Sequence, residues 1–197
     1  MKQQNKKTPQ SNSYLKYRWF FTSSGKLVIG GKNSEQNEHL MKEIMASGLD
    51  YIIMHTSTPG SPFTMIVDEG LTDKDLHEQA VFTGCFSQEW KKRKKSTSID
   101  IFDSKQLTKG KGMKEGTFGV LGKVSRRNVE LKLGIETQEG TIRAVPNSNN
   151  ASIIIEPGII EKGKAAKIIK ERLKNLGIEA DREEIERAIP SGEFTIK

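Results

Sequence analysis

Apolar residues recur along the chain with two periods, one typical of helices and one typical of strands. In NSEQNEHLMKEIMASG they fall on one helix face: Leu40, Met41, Ile44 and Met45. Asn33 or Ser34 can cap the start of this segment, and Gly48 can end it. The pattern predicts a helix over about residues 34–47.

A second helix is predicted in LTDKDLHEQAVFTGCFSQEWKKRK, residues 71–94. Thr72 is the predicted N-cap, with Asp75 three residues later as in a capping box. Four positions are expected to face the core: Leu76, Ala80, Cys85 and Phe86. The helix would end in the basic run KKRKK at residues 91–95.

Short apolar runs between turn residues predict strands. KYRWFFTSSGKLVIGG has the pattern of a β-hairpin, and YIIMHT and FTMIV are predicted strands joined by the loop that begins at His55. Four further stretches have strand patterns: SIDIF, TFGVLG, NVELKLGI and TIRAV. The chain therefore contains substantial β-structure.

Beyond the polar residues 147–150 the chain changes character. ASIIIEPG predicts a strand, and DREEIERAIP predicts a short helix that ends at Pro190. KAAKIIKERLKNLG predicts an amphipathic helix with four inward residues: Ile168, Ile169, Leu173 and Leu176.

The predicted fold is α+β, with a mixed, largely antiparallel sheet, two main helices packed on it, and a small C-terminal αβ subdomain. Residues 1–13 lack apolar periodicity and are predicted to be a disordered basic arm. The predicted main domain covers residues 14–137, and the αβ extension covers residues 138–197.

Composition excludes several classes of protein. Of 197 residues, 34% are hydrophobic, yet no run approaches the roughly 18 apolar residues of a membrane span. The amino terminus has no apolar stretch of the secretory kind, so a cytoplasmic location and no membrane partner are expected. With Cys85 as the single cysteine and three histidines at scattered positions, we expect no disulfide, no metal site and no cofactor.

The net charge of +7 is unevenly distributed. Residues 1–34 carry +7 and residues 91–127 carry +9, whereas residues 35–90 carry −8 and residues 128–197 carry −1. Locally dense lysine and arginine favour polyanion binding, because each neutralised phosphate releases counterions. Nucleic acid is therefore the leading class of partner, although KKRKK alone is equally typical of a solvated helix end.

Two further stretches suit RNA. In KGKGMKEG, residues 109–116, glycines allow backbone N–H groups and lysines to converge on a phosphate, but the spacing is not that of a Walker loop. The aromatic run at residues 17–21 could stack on bases. Because strand residues alternate between faces, we expect Trp19 in the core and Arg18 exposed.

The loop HTSTPGSP, residues 55–62, contains a histidine near hydroxyl side chains. A general base needs an orienting partner, and neither an acid partner nor a GxSxG motif can be identified. His55 is therefore expected to bind loop backbone, phosphate or a base edge rather than to catalyse.

Three stretches together resemble one family. YRWFFTSSGKLVIGGKNSEQNEHLM is similar to the opening of NFACT-R, a domain of NFACT ribosome quality-control proteins that also occurs alone. The matching positions are Arg18, Trp19, Phe20, Ser23, Ser24, Gly25, Val28, Gly30, Gly31, Gln36, Asn37 and Glu38. His55, Pro59, Gly60 and Ser61 match a second motif, although Pro62 stands where many members have histidine or serine.

The third motif, a basic glycine-rich segment before a strand, resembles LTKGKGMKEGTFGV through Lys109, Gly112, Lys114 and Gly116. The resemblance covers about residues 15–135. It implies an RNA-associated domain, with tRNA or ribosomal RNA as the partner and the large ribosomal subunit as a further candidate. The tailing of nascent chains by full-length members is not expected of this segment by itself.

We therefore predict a non-catalytic RNA-binding protein in translation-linked RNA metabolism or ribosome quality control. Its predicted RNA-binding residues combine basic side chains with positions of the three motifs: Arg18, Lys32, Asn37, His55, Gly60, Ser61, Lys91, Lys92, Arg93, Lys94, Lys95, Lys109, Lys111, Lys114, Arg126 and Arg127. Two alternatives remain open. One is an RNA nuclease or tRNA-modification component that uses His55, and the other is a protein adaptor that docks through the Ile-rich tail helix.

Overall fold

The computed structural model describes residues 13–146 and 151–197. Most of the predicted basic arm, residues 1–12, and the polar stretch 147–150 lie outside this part of the chain. The helices and strands of the described residues follow in this order: β1 Arg18–Phe21, β2 Leu27–Gly30, α1 Ser34–Ser47, β3 Ile52–Thr56, β4 Thr64–Ile66, α2 Asp73–Cys85, α3 Gln88–Lys91, β5 Ser96–Asp103, β6 Leu107–Thr108, β7 Gly119–Val120, β8 Ser125–Glu130, β9 Leu133–Gln138, β10 Thr141–Val145, β11 Ile154–Glu161, α4 Lys162–Asn175, α5 Arg182–Ala188 and β12 Glu193–Ile196.

Two sheets organise these elements. The larger has six strands in the order β1-β2-β4-β3-β5-β8, and each neighbouring pair is antiparallel. The smaller has four strands in the order β10-β9-β11-β12, also paired antiparallel, while β6 and β7 form a short ribbon. The predicted α+β class is confirmed.

Helices α1 and α2 cover opposite faces of the six-stranded sheet. Adjacent residues of β1 point to opposite sides of the sheet, and each contacts a different helix. Trp19 is in the core as predicted, packed in one cluster with Leu40 and Met41 of α1. Its neighbour Phe20 packs against Phe82 of α2, with ring centroids 4.6 Å apart. The sheet is thus buried on both faces near its first strand.

Helix α1 matches the sequence prediction in both bounds. Asn33 is the N-cap, and its side-chain oxygen accepts a hydrogen bond from the Gln36 N–H at 2.9 Å. Gly48 ends the helix with φ +67°, a left-handed conformation that glycine adopts without a Cβ clash.

The second predicted helix is in fact two helices. Helix α2 begins after Thr72 as expected, but it ends at Cys85, and a separate helix, α3, begins after Ser87. The Ser87 hydroxyl donates to the Gly84 carbonyl at 2.7 Å and accepts from the Glu89 N–H at 3.1 Å, which ends one helix and caps the next. The lysine cluster therefore begins at Lys91, the last residue of the single-turn helix α3, and does not end a long helix.

The stretch NVELKLGI, predicted as one strand, is divided between two sheets. Strand β8 ends at Glu130 and β9 begins at Leu133, with the buried Leu131 donating its N–H to the Lys95 carbonyl at 2.8 Å between them. The predicted domain boundary at residue 137 lies within β9, and an independent C-terminal unit stays a prediction.

Helices α4 and α5 lie where the sequence pattern predicts them. Ile169 and Leu173 of α4 are buried as expected, whereas Ile168 is only partly buried and Leu176, which follows the last residue of the helix, is half exposed. Ala165 and Ala166 occupy the remaining buried positions of the helix. Strand β12 was not predicted, since four residues give little periodicity.

Trp90 joins the lysine-bearing segment to the C-terminal sheet. It is fully buried, its ring centroid lies 5.6 Å from that of Phe194, and its indole N–H donates to the Glu193 carbonyl at 3.1 Å. The position of residues 88–95 therefore depends on β12.

Replacing Phe194 with alanine should lower the free energy of unfolding by about 3–5 kcal/mol, because it leaves a cavity beside Trp90. Ile159→Ala is the matched control, since Ile159 lies in the same sheet with 76% of its surface exposed and should change stability by about 0.5 kcal/mol or less. Urea denaturation followed by tryptophan fluorescence measures both values. A loss below about 1 kcal/mol for Phe194→Ala would contradict this packing.

Candidate nucleic-acid interface

Three consecutive polar residues in the first turns of α1 bind three different segments. The Gln36 Oε1 accepts from the Lys32 N–H at 3.0 Å, and the Asn37 Oδ1 accepts from the Phe63 N–H at 3.2 Å. Glu38 accepts from the glycine-rich loop that follows β6. Successive helix side chains project about 100° apart, so one turn can hold three neighbours in place.

Glu38 closes the glycine-rich loop. Its Oε2 accepts from the Lys109 ammonium at 2.7 Å and from the Gly116 N–H at 2.8 Å. Lys109 also donates to the carbonyls of Lys114 and Thr117, both at 2.9 Å, so all three of its donors are used inside the protein. The hydrogen bond from Lys109 lowers the pKa of Glu38 to about 2, together with those from Lys42, whose ammonium lies 3.0 Å from Glu38 Oε1, and from the Gly116 N–H.

Lys109 thus holds the glycine-rich loop together through its ammonium group, whereas the sequence predicted that it contacts phosphate. Gly116 explains why the loop can lie against α1: its φ is +72°, and a Cβ there would stand 2.7 Å from Cα of Ser34. Lys111 and Lys114 are exposed on the same loop. We therefore keep those two lysines, and not Lys109, as candidate RNA contacts.

The loop from His55 to Pro62 is held by its own hydroxyl groups. The Ser61 Oγ accepts from the Thr56 N–H at 2.9 Å, and the Thr56 hydroxyl donates to the Thr58 carbonyl at 2.6 Å. Gly60 has φ +104° and accepts a hydrogen bond from the Gln88 N–H at 2.8 Å. A Cβ at Gly60 would lie 2.4 Å from Cγ of Gln88, so the loop fits closely against the start of α3.

His55 is oriented by backbone and packing. Its Nδ1 lies 2.7 Å from the Thr56 carbonyl oxygen, and its ring centroid lies 4.5 Å from that of Phe63. Since a carbonyl only accepts, Nδ1 carries the proton and Nε2 of the neutral ring is an acceptor. Burial lowers the pKa of His55, which favours this neutral form.

These segments enclose a cleft of about 580 Å³, called the first cleft below. Seven of the predicted RNA-binding residues line it: Arg18, Lys32, Asn37, His55, Gly60, Ser61 and Lys91. They come from β1, the β2–α1 connection, α1, β3 and its following loop, and α3. The structure thus brings separate motifs to one surface.

Arg18 is half buried, contrary to the expected exposure. Its guanidinium carbon lies 4.7 Å from the ring centroid of Phe86, and burial lowers the pKa of the guanidinium. The neighbouring aromatics that could have stacked on bases, Tyr17, Trp19 and Phe20, are buried. Phe86 lines the first cleft instead, a position that sequence analysis assigned only to the core.

The lysine cluster is partly paired. Lys92 binds Glu89 at 2.6 Å, and Arg93 forms an ion pair with Glu193. Lys91 lines the first cleft, and Lys94 and Lys95, which follow it closely in sequence, are exposed. These three lysines present their charge to solvent and are called the lysine rim below.

Arg126 and Arg127 lie on β8, the edge strand of the larger sheet. Arg126 Nε binds Asp100 Oδ1 at 2.8 Å, and Arg127 binds Asp73 at 2.5 Å. Asp100 lines the first cleft, so Arg126 is adjacent to it, whereas Arg127 is held toward the start of α2. Sequence analysis did not single out Asp100, because only strand pairing places it beside His55.

Within residues 13–146 and 151–197, no group of three His, Cys, Asp or Glu side chains could hold a metal ion. No helix in this part of the chain is long and apolar enough to cross a membrane. Cys85 is buried, and burial raises the pKa of its thiol.

Comparison with known proteins finds one matching family. Residues 16–122 match the family described as the NFACT protein RNA binding domain. An archaeal Rqc2 homolog from Methanocaldococcus jannaschii is 32% identical over 195 residues, which cover 91% of this chain and 28% of that protein. The human ribosome quality control complex subunit NEMF is 27% identical over 116 residues, or 56% of this chain and 11% of that protein.

The chain thus spans 28% of the archaeal relative and 11% of the human one. Because the archaeal alignment includes 91% of the chain, it extends well past residue 137 into the predicted extension. Among solved structures, the C-terminal part of the fibronectin/fibrinogen-binding protein from Streptococcus suis has a TM-score of 0.50 at 18% identity. That alignment covers 66% of this chain and 49% of that one, and it supports the fold alone.

The hydrogen bonds of Glu38 predict a pH-dependent effect of Glu38→Gln. The charged carboxylate stabilises the fold above its ordinary pKa of 4.5, and that stabilisation disappears as the pH falls through about 2. The variant should therefore be less stable than the wild type near pH 7, with a difference that shrinks as the pH approaches about 2. Urea denaturation over this range measures the difference.

Glu35→Gln is the matched control, because Glu35 lies in the first turn of the same helix and is exposed. It should change stability little at any pH. A stability difference for Glu38→Gln that stays constant across the range would contradict the role of the charged carboxylate.

Proposed function

The chain belongs to the NFACT protein RNA binding domain family, and from this membership we propose that it binds RNA through the first cleft and its lysine rim. The RNA would be tRNA or ribosomal RNA, in translation-linked RNA metabolism or ribosome quality control. The human relative, which is named as a subunit of the ribosome quality control complex, supports this setting. Contact with the large ribosomal subunit and a cytoplasmic location belong to the same proposal.

The observation that carries the proposal is the convergence of distant motif residues on one cleft. Lys32, Lys91 and Arg18 supply positive charge to its lining, while Asp100 is its acidic lining residue. Asp100 is already neutralised by Arg126, so the lining retains a positive balance. A groove of this kind can follow a phosphate backbone.

Polar groups within the cleft suit contacts with a base or a sugar. His55 offers an acceptor at Nε2, and Phe86, which is partly exposed, adds an aromatic ring to the lining for contact with a base. Since these groups are fixed by the α1 hydrogen bonds and by the His55 loop, the cleft is organised before RNA arrives. Preorganisation lowers the entropic cost of binding.

A binding role for His55 is favoured over catalysis. A general base in a hydrolytic site is oriented by a group that stabilises its protonated form, commonly a carboxylate. The Thr56 carbonyl and Asp100, which lies opposite His55 in the sheet, favour the protonated ring, but burial against Phe63 outweighs them and lowers the pKa of His55. The nuclease alternative therefore has less support than RNA recognition.

The rim lysines should contribute through phosphate charge. Replacing Lys91, Lys94 and Lys95 together with glutamine should weaken binding to a labelled single-stranded RNA about tenfold, because three phosphate contacts are lost. The salt dependence should also become shallower, by about two units in the slope of log K against log salt. Fluorescence anisotropy between about 50 and about 200 mM salt measures both changes.

The matched control replaces Lys167, Lys170 and Lys174, which are exposed on α4, with glutamine. It removes the same charge without changing the rim, so its affinity and slope should remain close to those of the wild type. Equal losses in the two triple variants would show that only total charge matters. The proposed function itself fails if the wild type binds RNA with no salt dependence or does not bind it.

His55→Gln should reduce RNA affinity about threefold to tenfold, as expected for one lost hydrogen bond. The salt slope should stay unchanged, because neutral His55 neutralises no phosphate. The same RNA is inspected by gel for cleavage products. Cleavage by the wild type that disappears in His55→Gln would favour the nuclease alternative instead.

A further inference from the structure

A second cleft, of about 420 Å³, adjoins the first and shares three of its lining residues, Arg18, Lys32 and Phe86. Its remaining cations come from the C-terminal half of the chain, namely Arg143 on β10, Lys162 at the start of α4, and Arg187 on α5. None of these three was selected by sequence analysis, because residues 128–197 carry a net charge of −1.

The lining of the second cleft is strongly cationic. Five basic residues face one acidic residue, Glu186, whose Oε1 already accepts from Arg182 Nε at 2.7 Å. Partial desolvation, together with repulsion from Arg18, Arg143 and Arg187, lowers the pKa of Lys32. The cations are thus close enough to repel one another in the unliganded protein.

Two buried donors beside this cleft have no acceptor. Within the described part of the chain, Arg143 Nε and the Trp19 indole nitrogen are buried without a hydrogen-bond partner. The Arg143 guanidinium carbon lies 4.0 Å from the Trp19 ring centroid, and both residues line the cleft. Unpaired buried donors are uncommon and costly, so an acceptor at this place would lower the energy of the protein.

The ammonium group of Lys162 is also repelled by neighbouring cations. It donates to the Ile189 carbonyl at 3.2 Å. Burial lowers the pKa of Lys162 to about 8. Repulsion from Arg18 and Lys91 acts in the same direction, whereas attraction to Glu186 opposes it. A bound anion would favour the charged ammonium and offset this repulsion.

We propose that the second cleft binds a backbone phosphate of the RNA strand that occupies the first cleft. Arg18 and Lys32 line both clefts, so the strand can pass from one to the other without leaving positive potential. Planar guanidinium groups such as those of Arg143 and Arg187 match the geometry of phosphate oxygens. The assignment rests on the RNA binding proposed above and adds the C-terminal half of the chain to the interface.

Sulfate tests the anion site without RNA, because it resembles phosphate and keeps its charge between about pH 6 and about pH 9. The two tryptophans give two indole N–H signals in a ¹⁵N correlation spectrum. Trp19 lies against Arg143, whereas Trp90 donates to Glu193 and is not among the residues that line the second cleft. Sulfate, added at constant ionic strength, should shift the Trp19 signal and leave the Trp90 signal unmoved.

Lys162→Gln should abolish most of the sulfate response, and Lys162→Arg should restore it. Lys170→Gln, on the exposed side of the same helix, is the control and should respond like the wild type. Sulfate affinity of the wild type should fall as the pH rises through about 8, where Lys162 loses its proton. The other charged groups that line the second cleft or act on Lys162 are Arg18, Lys32, Arg143, Arg187, Lys91 and Glu186.

The RNA arm uses an oligonucleotide with hydroxyl groups at both ends, so that its only phosphates are in the backbone. Lys162→Gln should lower its affinity and make the salt slope shallower by about 0.7, the value for one phosphate contact on a single strand. Lys170→Gln should change neither quantity.

Different failures are distinguishable. If RNA binds and Lys162→Gln leaves both affinity and slope unchanged, the second cleft does not contact the strand, while the proposed function stands. If the Trp19 signal does not respond to sulfate, or responds equally in Lys162→Gln, the anion site is refuted. If polyglutamate competes as strongly as RNA, the cleft selects acidic peptide and the RNA assignment is wrong.

Discussion

The interface depends on three consecutive side chains at the start of α1. Gln36, Asn37 and Glu38 each bind a different segment, and together they fix the β2–α1 connection, the end of the His55 loop and the glycine-rich loop. A helix end can do this because its first turn exposes side chains in several directions while its backbone is held by the Asn33 cap. The three NFACT-R motifs are thus parts of one hydrogen-bonded assembly.

The lysine rim is connected to this assembly through glycine and tryptophan. Gly60 allows the His55 loop to approach Gln88, which begins α3, and Trp90 fixes the other side of α3 against β12. The rim is therefore positioned by contacts from both halves of the chain. This coupling is consistent with the single buried cluster that contains Trp90 together with residues of the small sheet.

Sequence reasoning succeeded where the signal was local. Helix α1, its cap and its glycine stop follow from neighbouring residues, and so does the burial of Trp19 from strand alternation. It failed where distant residues meet. The half-buried position of Arg18 on Phe86, the internal bonding of Lys109 and the break at Ser87 all arise from tertiary contacts that no short window contains.

The second cleft shows why segment charge is a poor guide to local potential. Residues 128–197 are almost neutral in sum, yet Arg143, Lys162 and Arg187 converge on one surface while Glu184 and Glu186 are occupied by Ile142 N–H and Arg182. Potential depends on which charges share a surface and on what already neutralises them. An anion-binding surface can therefore be assembled from a segment whose sequence suggests none, provided that other donors occupy the acids that lie near its bases.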